Sequence, residues 1–185
     1  LVKKYVILAC PRSGTSYASR FLKIGHEKLD KDRRGIISWC LAATPEHRTL
    51  YGPSLPQVKR ILGKEAKIYH QVRHPIKTIS SFNSVSDRTL RYLVGTLKLN
   101  KNDSKMINHM KIWIKWNKRC EDLASDSNTY RIEDIEEYFP NISPYENKKE
   151  NTRDHVNYSK QDLEKEDSLL FSEVVELAKK YGYDL

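Results

Sequence analysis

The stretch Lys3-Lys4-Tyr5-Val6-Ile7-Leu8-Ala9-Cys10-Pro11-Arg12-Ser13-Gly14-Thr15-Ser16-Tyr17 decides how the chain is read. Lys3 to Cys10 is a short apolar run rich in β-formers and bounded by a proline, the pattern of a buried strand. Pro11-Arg12-Ser13-Gly14 has the composition of a turn. From Thr15 to Ile24 the apolar residues Tyr17, Ala18, Phe21, Leu22 and Ile24 recur at helical spacing, and Gly25 fits a helix stop. The reading is therefore strand, glycine loop, helix. Such a loop presents backbone N–H groups that have no intrahelical partner. With the positive end of the helix dipole, they suit a phosphate or a similar tetrahedral oxyanion. Thr15 and Ser16 add hydroxyls, and Arg12 adds a permanent cation. The triphosphatase loop is excluded by spacing, because no Lys follows Gly14 and no Gly stands five residues before it. A phosphatase loop needs an Arg six residues after Cys10, where Ser16 stands. The plainer alternative is a helix cap made by Ser13 or Thr15 with nothing bound.

Outward from this stretch, Lys67 to Val72 reads as a second buried strand, and Pro75 fits the first turn of the next helix. Residues 26–35 read as a charged loop. Ile36 to Ala43 is apolar and ambiguous between helix and strand. His47 to Tyr51 is expected as a short strand, and Leu55 to Leu62 as a short helix closed by Gly63. Arg88 to Leu99 and Ser104 to Leu123 read as helices, and Thr129 to Ile132 as a further strand. Asn141 to Tyr158 reads as an extended polar loop, and Asp162 to Tyr181 as a final amphipathic helix stopped by Gly182. Strands alternating with helices imply an α/β protein, with three α/β/α layers around a central parallel sheet. Ligands of such sheets sit at the carboxyl ends of the strands. The loops after Cys10 and after Val72 are thus where chemistry is expected.

At 185 residues the chain suits a single domain spanning 1–185. Its formal net charge of +9 is unevenly spread. Residues 1–120 hold 25 Lys and Arg against 7 Asp and Glu, whereas residues 121–185 hold 8 against 17. A field that positive favours an anionic partner, although a solvated basic face is the bland reading. Neither a zinc-finger spacing nor an RNA-recognition aromatic signature is present, so no nucleic-acid partner is expected. The apolar runs are too short for a membrane span, and none resembles a signal peptide. Cys10, Cys40 and Cys120 are odd in number and far apart. They argue against a disulfide framework and a zinc site, and a reducing, cytoplasmic setting is the simplest expectation.

The second strand ends in His70-Gln71-Val72-Arg73-His74-Pro75, and Ser81 follows Arg73 by eight residues. An Arg at a strand end and a Ser on the next helix can converge on one anion. Two anion sites on two strand–helix turns suggest a ligand with two separated anionic groups.

With these residues in view, the chain resembles the sulfotransferases that use 3′-phosphoadenosine-5′-phosphosulfate (PAPS). Pro11 to Tyr17 is similar to that family's 5′-phosphosulfate loop. Arg73-His74-Pro75 with Ser81 is similar to its 3′-phosphate motif. Tyr130-Arg131-Ile132-Glu133-Asp134-Ile135 resembles a further stretch of the family. Leu177 to Tyr183 looks like its last helix. The resemblance implies a P-loop-nucleotide-kinase-like fold and sulfuryl transfer from PAPS to a hydroxyl or amine of a small-molecule or saccharide acceptor, with no metal. It implies that Arg12, Ser13, Gly14, Thr15 and Ser16 hold the 5′-phosphosulfate and that Arg73 and Ser81 hold the 3′-phosphate. Tyr17 stands where relatives place an aromatic residue near adenine, though it suits the core equally. Arg153, in the late polar loop, is a further 3′-phosphate contact by the same likeness.

Many relatives carry Lys where Arg12 stands; an Arg supplies charge and hydrogen bonds but donates no proton readily. A hydroxyl acceptor needs a general base. The position aligned with the catalytic His of cytosolic relatives holds Tyr51. His26 and Glu27, just past the first helix, are the acid/base candidates, with His47 a third. His70 reads as a hydrogen-bonded core residue, His109 as a packing residue, and Trp113 and Trp116 as core. Arg131, Glu133 and Asp134 read as structural. The competing readings are a kinase-like nucleotide enzyme, a basic nucleic-acid-binding module, and a binding-only relative without a base.

Overall fold

The computed structural model describes residues 4–43, 52–124, 128–142 and 156–185. Strands β1 (Tyr5–Ala9), β2 (Gly25–His26), β3 (Gly35–Ser38), β4 (Lys67–Val72) and β5 (Thr129–Arg131) form one sheet. All pairings are parallel, in the order β2-β3-β1-β4-β5. The helices are α1 (Thr15–Phe21), α2 (Leu55–Leu62), α3 (Pro75–Ser81), α4 (Asp87–Thr96), α5 (Lys105–Leu123), α6 (Ile135–Tyr138), α7 (Lys160–Glu166) and α8 (Ser168–Lys180).

β1 occupies the centre because both its faces are apolar, and parallel strands must be covered on both sides. Val6, Ile7 and Leu8 have no exposed area. Each contributes about 1.5–3 kcal/mol relative to an exposed side chain. Ile7 turns to one layer, where Ala18 and Phe21 of α1 and Ile135 of α6 meet Ile37, Tyr69 and Tyr130. Val6 and Leu8 turn to the other, where α2, α3, α5 and α8 bring Val58, Ile79, Trp113, Trp116 and Val174. Helices therefore flank the sheet on both faces, as the alternation predicts. Among the described residues no helix is long and apolar enough to cross a membrane.

Strand order positions the site. The chain leaves β1 toward β2 and β3 and leaves β4 toward β5, on opposite sides of the β1–β4 pair. The chain thus reverses direction across the sheet between β1 and β4, and the carboxyl edge at such a switch point is the usual ligand position in open α/β sheets.

Several elements differ from expectation for identifiable reasons. α1 stops at Phe21, short of Ile24. Ile24 N–H donates to Ser19 O and Lys23 N–H to Arg20 O, with Lys23 at φ 54. This is a Schellman stop with lysine in the left-handed position where glycine is usual, which is why Gly25 misleads. Gly25 lies instead in β2, and the stretch expected as loop, 26–35, supplies His26 to β2 and Gly35 to β3. Ile36 to Ala43 is both elements in turn, β3 and then a 3₁₀ turn, Trp39–Ala42, capped by the Ser38 hydroxyl, which accepts from Cys40 N–H. The last helix begins at Lys160 and is cut in two at Asp167, whose carboxylate accepts from Leu170 N–H and starts α8. The helix expected at Arg88 to Leu99 runs Asp87–Thr96, and Ser104 caps α5 rather than joining it. Residues 47–51, expected as a strand, and most of the expected loop 141–158 lie outside the described residues.

Candidate functional site

Local backbone geometry comes first. After Ala9 the chain turns through Cys10–Thr15. Ser13 N–H donates to Cys10 O at 3.2 Å, and the Ser13 hydroxyl donates to the same carbonyl. Arg12 and Gly14 both adopt left-handed conformations, at φ 70 and φ 83. For Arg12 this costs roughly 1–2 kcal/mol, and such strain persists only where surroundings over-determine it. Gly14 is the residue before α1, and no side chain caps that helix. The expected alternative, a cap made by Ser13 or Thr15, is therefore not formed. A Cβ on Gly14 would stand 3.3 Å from Ile132 Cγ1, so this position tolerates little else.

What holds Arg12 is the second loop. Arg73 Nη1 donates to Arg12 O at 2.9 Å. Arg12 Nε donates to Ser81 Oγ at 2.9 Å, and Arg12 Nη2 to Ser84 Oγ at 2.8 Å. Gln71, fully buried on β4, donates to Ser13 O at 2.7 Å and accepts from the Tyr130 hydroxyl at 2.7 Å. The turns after β1 and β4 are thus bolted together, and Arg12, Arg73 and Ser81 form one hydrogen-bonded cluster. Burial depresses the Arg73 pKa, partly offset by nearby Glu133. An arginine starts so high that it stays charged. Glu133 also accepts from His74 N–H at 3.2 Å and from the Tyr183 hydroxyl at 2.6 Å, so it supports the Arg73 loop from behind. Arg131 pairs with Asp134 and donates to Gly182 O, tying β5 to the end of α8.

The other end of the first loop meets β2. Thr15 Oγ1 lies 3.0 Å from His26 Nε2. Glu27 Oε1 accepts from Trp39 Nε1 at 2.9 Å and lies 3.9 Å from His26 Nε2. Glu27 is also left-handed, at φ 59, and its carbonyl packs so tightly that a Cβ on Gly52 would stand 2.5 Å from it. Both side chains are roughly one-third exposed, so solvent and a small molecule can reach them. Thr15, His26 and Glu27 therefore form a second polar cluster, joined to the first through the loop itself.

Each remaining sequence candidate has a definite place. Ser16 is half-buried and its carbonyl accepts from the Ser19 hydroxyl. Tyr17 is half-buried with its ring stacked on Phe21 at 6.3 Å, so much of it serves the core. Arg153 and His47 lie outside the described residues. His70 is a core residue: its Nε2 is 3.0 Å from Asn117 Oδ1, and Asn117 in turn donates to Trp113 O. Trp113 and Trp116 are wholly buried. Sequence reasoning missed Ser84 and Gln71. The signals available were a second serine three residues past Ser81, one helical turn on, and an amide in the middle of an apolar strand.

Two clefts lie apart from this cluster. One, of about 490 Å³, is lined by Val72, Arg131 and Tyr181 beside the β5 edge. The other, of about 660 Å³, is lined by Lys4, Tyr5, Lys67 and Phe139 at the amino end of the sheet. The convergence of charged and hydroxyl groups at the carboxyl edge makes that cluster, rather than either cleft, the candidate site. The chain matches no family model and no curated protein sequence.

Proposed function

We propose that the carboxyl edge at β1 and β4 binds PAPS and that the chain transfers its sulfuryl group to an acceptor hydroxyl or amine. One observation carries this reading: the turn after β1 and the turn after β4 are joined through Arg73, Arg12 and Ser81. A ligand with an anionic group at each end suits two such turns held at fixed separation. A central first strand feeding a glycine turn and then a helix also supports the P-loop-nucleotide-kinase-like class. The main competitor, a kinase-like nucleotide enzyme, lacks the lysine after Gly14 that it needs.

In this proposal the amides of Gly14, Thr15 and Ser16, with the Ser13, Thr15 and Ser16 side chains, cradle the 5′-phosphosulfate. Arg73 and Ser81 take the 3′-phosphate, with Arg153 as a further contact. Tyr17 offers its free ring edge to adenine. The donor supplies an activated sulfuryl group whose bond to the 5′-phosphate oxygen breaks as the acceptor oxygen bonds to sulfur, leaving the electron pair on phosphate. Arg12 stabilises that charge, and fixed cations aimed at developing charge are a large catalytic term. Its hydrogen bonds to Ser81 and Ser84 hold the guanidinium in place. Glu27 accepts the acceptor's proton, and His26, hydrogen-bonded to Thr15, stands as the alternate base.

The test is selective. Arg73→Ala weakens adenosine 3′,5′-bisphosphate by about tenfold or more, as expected for loss of a charge-assisted bond, while a 5′-nucleotide without the 3′-phosphate loses little. Isothermal titration of both ligands measures this. Equal losses for the two would remove Arg73 from the 3′-phosphate.

A further inference from the structure

α4 leaves the candidate site directly. Ser84, which accepts from Arg12, precedes its first residue, Asp87, by three positions. The helix then exposes Arg88, Arg91 and Gly95, and Lys98 follows just past its end, also exposed. Positions 88, 91 and 95 fall within an arc of about 60° and span about 10 Å along the axis, and Lys98, left-handed at φ 52, lies beyond the helix end. Arg88, Arg91 and Lys98 form no ion pair among the described residues. The segment 85–119 holds nine Lys and Arg against two acids, Asp87 and Asp103, and Asp103 is already paired with Lys111 at 2.6 Å.

Gly95 supplies an independent observation. A Cβ there meets nothing within 4 Å, and its φ is not in the left-handed region. Glycine inside an exposed helix costs about 1 kcal/mol relative to alanine. Neither packing nor backbone conformation in this fold requires it. A bare stretch of helix backbone between cations allows a linear chain to lie close against the helix.

We infer that the exposed face of α4 is a docking track for a linear anionic saccharide, which it leads to the candidate site as acceptor; this rests on the sulfotransferase reading. The occupant is argued from charge complementarity and from what the track lacks. It presents no exposed aromatic ring for base stacking, which single-stranded nucleic acid would use. Tyr92, the aromatic residue between the cations, instead packs edge-on against Trp39 at 5.9 Å. Two arginines on one helix face, with Lys98 just beyond the helix end, suit one extended polyanion rather than the broad surface of a duplex.

The experiment compares binding of a sulfated heparin oligosaccharide, a neutral maltooligosaccharide, duplex DNA and adenosine 3′,5′-bisphosphate to the full chain and to two variants. In Arg88→Ala/Arg91→Ala/Lys98→Ala, heparin affinity drops by about tenfold or more with a shallower salt dependence, because fewer counterions are released. Bisphosphate affinity is unchanged. Gly95→Ala raises the melting temperature yet lowers heparin affinity, an opposition that a purely structural role does not produce. Unchanged heparin binding in the triple variant overturns the track. Tighter binding of duplex DNA than of heparin overturns the saccharide. A chain that binds heparin through these residues but binds no bisphosphate overturns the donor reading, and with it the claim that the saccharide is an acceptor.

Discussion

Individual residues in this chain carry unequal burdens. Glu27 combines a strained backbone, an indole donor and partial exposure, whereas a surface glutamate needs none of these. Glu27→Gln keeps the Trp39 contact and removes the base. It lowers turnover by about 10²-fold or more while bisphosphate affinity stays unchanged; steady-state rates on any accepted acceptor measure this, and an unaltered rate would shift the role to His26. Arg12→Ala also lowers the rate, but it frees Ser81 and Ser84 and so disturbs binding too. His109 belongs to a different group. It lies between the rings of Phe82 and Tyr158, and neither ring nitrogen has a partner among the described residues. Burial pulls its pKa from 6.5 down to about 4. The unfolded chain takes up the proton near pH 6.5 while the folded chain refuses it until about 4. Stability therefore falls as pH drops through that window and levels off below it. The contribution is on the order of 3 kcal/mol. His70, also drawn down to about 4 by burial, adds to the same slope. His109→Phe removes one titration, so urea unfolding at pH 7 and pH 5 should show a smaller loss than in the parent. An identical loss would mean that His109 is not the proton acceptor.

Secondary elements were legible in proportion to how local their signals are. α2 and β4 match the expected ranges because Ser54, Gly63 and Pro75 punctuate them. Ser54 and Gln57 form a full capping box, a signal carried by two residues alone. β2 was not legible, since two residues paired to β3 have no periodicity to read. The break at Asp167 was missed because its neighbours keep the helical pattern on both sides. The two lysine stops, Lys23 and Lys98, hide for another reason: their left-handed conformations are imposed by the bonds Ile24 to Ser19 and Leu99 to Val94 rather than by residue type. These stops are improvable. Lys23→Gly relieves a left-handed side chain and should stabilise the fold by about 1 kcal/mol, a melting shift of about 2–4 °C. Calorimetry settles it; a lower melting temperature would show that the lysine stem packs usefully against α1.

Across the whole molecule, charge and topology coincide. The excess of positive charge lies in residues 1–120, which include β1, β4, both site loops and α4. The acidic remainder includes α6, α7 and α8. That the loops after β1 and β4 would lie at one edge of the sheet could be reasoned from alternating strands and helices, because parallel strands end on the same side. The clasp between them could not. That Arg73 would hold the Arg12 carbonyl, and that Gln71 would join Ser13 to Tyr130, depends on β1 and β4 being neighbours, a fact no local pattern encodes. Cys10 and Cys120 are buried, and burial raises the pKa of both thiols. Cys40 is half-buried, and burial pushes its thiol up to about 12. The protein should therefore react sluggishly with thiol reagents while folded.

The central claim is a single site that grips a doubly anionic adenylate at both ends. Thermal unfolding with adenosine 3′,5′-bisphosphate, ATP or a short oligonucleotide, each at equal concentration, tests it most directly. The account predicts that the bisphosphate raises the melting temperature more than ATP does, since ligand bound only to the folded state adds stability in proportion to the logarithm of its saturation. Stabilisation by ATP alone, or by the oligonucleotide alone, would contradict it.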